Sequence, residues 1–507
     1  MDGPIPFLRG RGPLPVDRLK RVGVIDVGSN TVRLVVFDGA ARSPAYFFNE
    51  KVMCALGEGM ADSGRLSRKG RKRALAALRR FRRLTEGMGA SVHAVATAAV
   101  REAEDGPEFV DQVAAETGIR LEVIPGRDEA RLSAQGVLLG WPDARGLVCD
   151  IGGASMELAE LLGDGVIGRC ETSGLGPLRL EALGLGRKAL KAHVRGQIEE
   201  LRRRFPGGYR RIYLVGGSWR AIARIDMERR RYPLKVLHEY EMKPTALRDT
   251  LAWIRRTDIE ELRELSGVSR ARLRLAPLAA LVLRELVEAF RPERVAVSSY
   301  GLREGLLYEQ MPEDLRRRDP LIEAARHMEA SAARVPGFGS VLYEFILPLF
   351  ADRPPEVLRL IRAACHLHDV SWRAHPDYRA EVVFDNATRA NLGGLDHRGR
   401  VFLGIALLNR YKNARSSSAF ARASELLTEE RIRLAQAVGK AMRFGAMLSG
   451  EVAHALGRLE LPAEGRELRL LLPATARDLY GEVVEERFRS LARALGRKAR
   501  VVIEEAP

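Results

Sequence analysis

The chain has 507 residues, 46% of them hydrophobic, and its 83 Lys and Arg against 66 Asp and Glu give a formal charge of +17. That length predicts about two to four domains, and the charge favours a polyanionic partner, although the excess of Arg over Lys is also what a GC-rich genome encodes. Apolar runs such as Ala276 to Leu283 fall short of a membrane span of about 20 residues, and four scattered cysteines without a CxxC pair exclude a zinc knuckle and a disulfide framework, as expected of a cytoplasmic protein.

Residues 1–20 hold Pro, Gly and charge without an apolar core and read as a flexible leader, not a secretory signal. Strands are predicted at Val22–Val27 and Val32–Phe37, both rich in β-branched residues. Between them lies the small polar turn from Gly28 to Thr31. Gly28 permits a backbone that a Cβ would hinder, and successive amides there can form an anion-binding concavity; a turn that binds nothing is the alternative. Further strands are expected at Tyr46–Met53, Val92–Ala96 and Leu121–Ile124, with helices at Arg68–Gly87, Pro107–Thr117 and Asp128–Leu139. The cation-rich stretch Ser67 to Leu84 reads as a solvated helix face or, with the Arg202–Arg204 cluster, as a polyanion track.

From Gly146 to Leu161 the opening layout repeats: strand, Gly-rich turn, strand. Gly152 and Gly153 let backbone approach a ligand, Ser155 adds a hydroxyl, and Asp150 and Glu157 stand where two carboxylates could hold a hard cation. A third Gly-rich turn, Val215 to Ser218, opens a helix, and Arg294 to Glu309 supplies a strand and a helix start. Each turn offers donors for phosphate oxygens. Two α/β halves of this kind predict two related lobes with a cleft. Neither a P-loop nor a GxGxxG after a strand is present. Around Met311 to Pro320 the texture changes, placing a boundary near Asp314. Beyond it apolar positions recur every three to four residues, predicting helices, with a short strand pair at RELRLLLP and RKARVVIEE.

Six motifs in order, IDVGSNTVRLVV, ATAAVREA, PGRDEARL, DIGGASMEL, VGGSWRAIARI and SSYGLREGLLYE, resemble the exopolyphosphatase / guanosine pentaphosphate phosphohydrolase family. The resemblance spans Val22 to Glu309. It implies an α/β actin-like fold, of the sugar-kinase and Hsp70-like superfold, with two ribonuclease-H-like lobes (21–137 and 138–313) and a mostly helical HD-like domain (314–507). It implies Asp26, Gly28, Ser29, Asn30, Thr31, Gly152, Gly153 and Ser155 around phosphate. Arg101 becomes a phosphate clamp, and Asp150 and Glu157 face Mg²⁺. Gly217, Ser218 and Arg220 complete the phosphate set. Trp219 either crowds a purine pocket, which disfavours an actin-like kinase, or packs in the core.

Two departures matter. Ala154 replaces a third Gly. The motif whose first Glu is the family's presumed base here reads GRDEA, so Asp128 takes that place, with Glu129 as second candidate; both could instead merely favour a helix N-terminus. In the helical half, His368 and Asp369 resemble an HD pair, but the upstream His327 and the nearby His366, His375 and Asp377 give no secure metal set. That domain is expected to extend the groove or to mediate a homodimer. The implied activity is Mg²⁺-dependent release of orthophosphate from the end of inorganic polyphosphate. Hydrolysis of guanosine pentaphosphate to the tetraphosphate is the first alternative, and a non-catalytic alarmone- or RNA-binding relative the next. Neither a membrane nor nucleic acid is the expected partner.

Overall fold

The computed structural model describes residues 20–39, 41–412, 418–451, 457–462 and 465–504; apart from Lys20, the predicted leader lies outside the described residues. The chain divides into two compact units, the second beginning at Asp319.

The first unit holds two sheets. One comprises β1 (Val22–Val27), β2 (Thr31–Phe37), β3 (Tyr46–Met53), β4 (Ser91–Ala96) and β5 (Leu121–Val123), in the order β3-β2-β1-β4-β5. The other comprises β6 (Arg145–Ile151), β7 (Met156–Gly163), β8 (Val166–Ser173), β9 (Arg211–Val215), β10 (Tyr240–Met242) and β11 (Arg294–Val297), in the order β10-β11-β9-β6-β7-β8. Both sheets follow one plan. An antiparallel hairpin opens each, its third strand lies outside, and a parallel strand joins the inner side. β1 and β6 are buried centrally and read as near-continuous apolar runs, as inner strands covered on both faces must.

A parallel connection needs a crossover, and the helix Arg68–Gly87 supplies the one from β3 to β4. Ser67 caps it, its hydroxyl accepting from the Gly70 amide at 3.2 Å. The helix buries Ala74, Leu78 and Phe81, and its cations pair outward: Arg79 with Glu116, Arg80 with Glu50 and Arg82 with Glu86.

The helices Gly126–Gly140 and Leu302–Glu309 cross where the lobes meet. A Cβ on Gly136 would stand 2.2 Å from the Gly301 carbonyl oxygen, and one on Gly305 would stand 1.9 Å from that of Leu132. Backbone thus touches backbone, which glycine alone allows at these two positions. Around this crossing a core forms from both lobes, including Val24, Val35, Leu132, Val137, Val148 and Leu306.

The second unit is mostly helical, with a three-stranded sheet in the order β12-β13-β14, built from β12 (Arg458–Glu460), β13 (Glu467–Pro473) and β14 (Lys498–Glu504). The helix His397–Tyr411 is buried on all sides and centres its core. His368 and Asp369 are fully buried here. Asp369 accepts from Arg334 three times, from the amide at 3.1 Å, Nε at 2.9 Å and Nη2 at 2.6 Å. Arg334 Nη2 also holds Glu451 at 2.7 Å. His368 Nδ1 meets the Cys365 carbonyl, and His366 Nδ1 lies 2.6 Å from Glu329. His375 and Asp377 pair with each other on the surface. The HD pair therefore takes its positive partner from a guanidinium. Among the described residues no three His, Cys, Asp or Glu side chains gather as a metal cluster, and no helix is long and apolar enough to cross a membrane.

Candidate active site

The two hairpin turns are built alike. The Gly28 amide donates to the Thr31 carbonyl at 2.9 Å, and the Gly152 amide donates to that of Ser155 at 3.0 Å. Each turn begins two residues after an aspartate, Asp26 or Asp150, at the carboxyl end of an inner strand, where ligands of open α/β sheets bind. The turns meet across the cleft: a Cβ on Gly153 would stand 2.6 Å from Ser29 Oγ. The third turn needs glycine too, since Gly216 has φ of 109° and its Cβ would lie 2.4 Å from the Ile151 carbonyl. The helix Gly217–Arg229 starts there and presents Gly217, Ser218 and Arg220 to the same cleft of about 600 Å³.

Among the described residues, three carboxylates line this cleft: Asp26, Glu129 and Asp150. Arg303 Nη1 donates to Asp26 Oδ2 at 2.9 Å, and the Ser133 hydroxyl donates to Asp150. Glu129, only 8% exposed, accepts from Arg101 Nη1 at 3.4 Å. Burial, then the like charges of Asp150 and Asp26, push its carboxyl up to about 8, against the pull of Arg101. Burial raises Asp150 as well, opposed by the Ser133 hydrogen bond and by Arg220 and Arg303.

Among the described residues, five cations line the same cleft: Arg33, Lys51, Arg220, Arg272 and Arg303. Arg33 and Lys51 are cross-strand partners on β2 and β3. Burial and the nearby Arg303 and Arg220 lower Arg33 to about 10, and burial with Arg272 and Arg33 lowers Lys51. Cations that depress one another this way form a field that further anionic oxygens relieve.

Residues 35–314 match the model of the Ppx/GppA phosphatase family, and residues 321–502 match that of the exopolyphosphatase C-terminal domain. The chain belongs to the Ppx/GppA phosphatase family. Exopolyphosphatase 1 of Mycobacterium tuberculosis is 30% identical over 310 residues, covering 57% of this chain and 88% of that protein. Retrograde regulation protein 2 of Saccharomyces cerevisiae is 26% identical over 432 residues, 77% of this chain and 72% of that one. A solved exopolyphosphatase from Cytophaga hutchinsonii superposes with a TM-score of 0.52 at 24% identity, covering 57% of this chain and 97% of that one. An Aquifex aeolicus Ppx/GppA family member gives 0.51 at 23%, covering 58% and 97%. These structures share the actin-like fold.

Within this Ppx/GppA cleft, the predicted residues Asp26, Gly28, Ser29, Asn30, Thr31, Asp150, Gly152, Gly153, Ser155, Gly217, Ser218 and Arg220 all line one surface. Three expectations change. Asp128 does not line the cleft: its side chain is 47% exposed and pairs with Arg131 at 3.4 Å. Successive helical residues point about 100° apart, so only one of Asp128 and Glu129 can face inward, and it is Glu129. Glu157 pairs with Asp150 in the β6–β7 register but lies beneath the cleft wall, where Thr172 Oγ1 donates to it at 3.0 Å. Burial and the charges of Glu129 and Asp150 raise its carboxyl. Arg101, expected as a phosphate clamp, is not among the cleft-lining residues and donates to Glu129 and to the Ile124 carbonyl, the latter at 2.8 Å. Of the two readings of Trp219, the structure shows core packing: it is fully buried in the second lobe and does not crowd a ligand.

Sequence reasoning missed Arg33, Lys51, Arg272 and Arg303. Arg33 carried a signal, a guanidinium inside a β-branched strand directly opposite Asp26. Arg303 lay inside a quoted motif. Arg272, in a short helix far along the chain, carried none.

Proposed function

We propose that the protein is an exopolyphosphatase, hydrolysing the terminal phosphoanhydride bond of inorganic polyphosphate and releasing orthophosphate. The carrying observation is Glu129, a buried carboxylate with raised proton affinity, set against two glycine turns in a cleft otherwise rich in cations. The terminal phosphate sits between the turns, its oxygens taking backbone N–H groups and Arg220. Glu129 accepts a proton from water as the water oxygen attacks phosphorus in line. The bond to the bridging oxygen breaks and that oxygen leaves on the shortened chain. The following phosphates meet Arg33, Lys51 and Arg272.

Asp26 and Asp150 offer hard oxygen donors whose charges repel each other and Glu129, a set that suits Mg²⁺ shared with substrate phosphates rather than caged by protein alone. When bound, Mg²⁺ supplies neutralisation of charge developing on the phosphoryl oxygens. Glu157, beneath the wall, is outside that set.

A second reading, removal of the 5′-terminal phosphate of guanosine pentaphosphate, draws on Met53, Leu178 and Leu275, which give the cleft apolar wall beside its cations and could pack a nucleoside. The deciding experiment supplies Mg²⁺ with long polyphosphate or guanosine pentaphosphate and follows phosphate release. Faster release from polyphosphate supports the first reading, and faster release from the nucleotide supports the second. Release from neither contradicts both.

A further inference from the structure

We propose that His238, which lies outside the cleft, is a positioning residue for the Ser299–Gly301 wall and, through it, for Arg220. The inference rests on the reading that Arg220 holds phosphate. His238 is 3% exposed, and its Nδ1 accepts from the Ser299 amide at 3.2 Å. The Ser299 carbonyl in turn accepts from Arg220 Nη1 at 3.0 Å. The backbone of Ser299 is therefore tied at both ends, to an imidazole on one side and to a cleft cation on the other. Ser299, Gly301 and Arg220 all line the cleft.

The imidazole has little freedom. Its ring centroid lies 4.6 Å from that of Trp141 and 4.5 Å from that of Tyr300. A Cβ on Gly140 would approach the ring to 2.7 Å, so the end of the helix that carries Glu129 also closes on it. The Ser298 hydroxyl donates to the Tyr300 carbonyl at 2.7 Å and accepts from its amide at 3.0 Å, which stiffens the wall. Glu239 holds a φ of 65°, costly for a residue with a side chain, and its amide donates to the Val297 carbonyl at 2.9 Å. Strain of this kind persists where surroundings over-determine it, and it clusters near functional sites. With Nδ1 accepting, the ring proton sits on Nε2, which faces the Glu239 carboxylate at 3.8 Å.

Two amides separate this role from simple filling of space. Asn places an acceptor near Nδ1, whereas Gln places its amide near Nε2. The probes are tripolyphosphate binding by calorimetry and phosphate release from polyphosphate with Mg²⁺. His238→Gln is expected to weaken tripolyphosphate binding and raise KM about tenfold, the loss of one hydrogen bond to a charged site. His238→Asn is expected to stay within about threefold of the natural protein, with both variants melting at similar temperatures. In an Arg220→Lys background, His238→Gln should cost no more, because residues acting through one another are not additive. Equal behaviour of the Asn and Gln variants, or additive losses in the Arg220→Lys background, would overturn the proposal. Binding without turnover by the natural protein would contradict the hydrolase reading alone, since the His238 comparison is then read on binding. Neither binding nor turnover would overturn both.

Discussion

Glu129 carries opposing demands. Burial beside Asp150 and Asp26 makes it basic enough to take a proton from water, and the same burial makes its charge costly. The carboxyl rises on folding from an ordinary value near 4.5 to about 8. Its protonated form fits the fold, so the cost is absent below about pH 4.5 and grows as pH rises toward 8. Glu129→Gln should therefore be more stable than the natural chain at pH 8.5, with the gain shrinking toward pH 5. Urea unfolding at the two pH values checks this, and equal stability at both would contradict the burial argument. Activity should run the other way, with kcat/KM of the natural protein increasing as pH passes through about 8, where the ionised base becomes the major form. The motif around Asp128 and Glu129 was legible in the sequence, but the choice between them was not. It depends on helix phase relative to the cleft, and both neighbours of the pair are compatible with either phase.

At the scale of elements, the crossing of Gly126–Gly140 and Leu302–Glu309 brings Glu129 and Arg303 to one cleft. Gly136→Ala would force the helices apart, with an overpacking cost of about 1–3 kcal/mol. It should also lower phosphate release, because both helices carry cleft residues. A stable and fully active Gly136→Ala protein would contradict this packing. In the second unit, Arg334→Ala removes the guanidinium that pairs with buried Asp369, which should cost roughly 1–3 kcal/mol. His368→Ala should likewise damage stability, and stoichiometric transition metal lost with that substitution would overturn the ion-pair reading. The paired hairpins were readable because Asp26-x-Gly28 and Asp150-x-Gly152 share one spacing and one turn bond. β8 is not legible in the sequence: its residues Val166 to Ser173 form a half-exposed edge strand without clean alternation. β12 has only three residues, too few for any period.

For the whole molecule, the net charge divides into two parts. Some of the surface cations are paired locally, as on Arg68–Gly87, where Arg79, Arg80 and Arg82 each meet a carboxylate. Exposed pairs of this kind contribute little. The cleft cations Arg33, Lys51 and Arg272 instead crowd one another. Raising salt at constant Mg²⁺ should weaken long-chain polyphosphate more than tripolyphosphate, because a longer polyanion displaces more counterions. Lys51→Ala should flatten that slope, and neutralising Arg79 and Arg80 should leave it unchanged; equal slopes for long and short chains would mean that phosphates beyond the third meet no cations. The cleft's acid–base chemistry is tested most directly by orthophosphate release from long polyphosphate, with Mg²⁺, measured side by side for the natural protein, Asp128→Asn and Glu129→Gln. The expected result is sustained release by the first two and a loss of about 10²–10⁴-fold for Glu129→Gln. Release by Glu129→Gln with a silent Asp128→Asn would contradict the account.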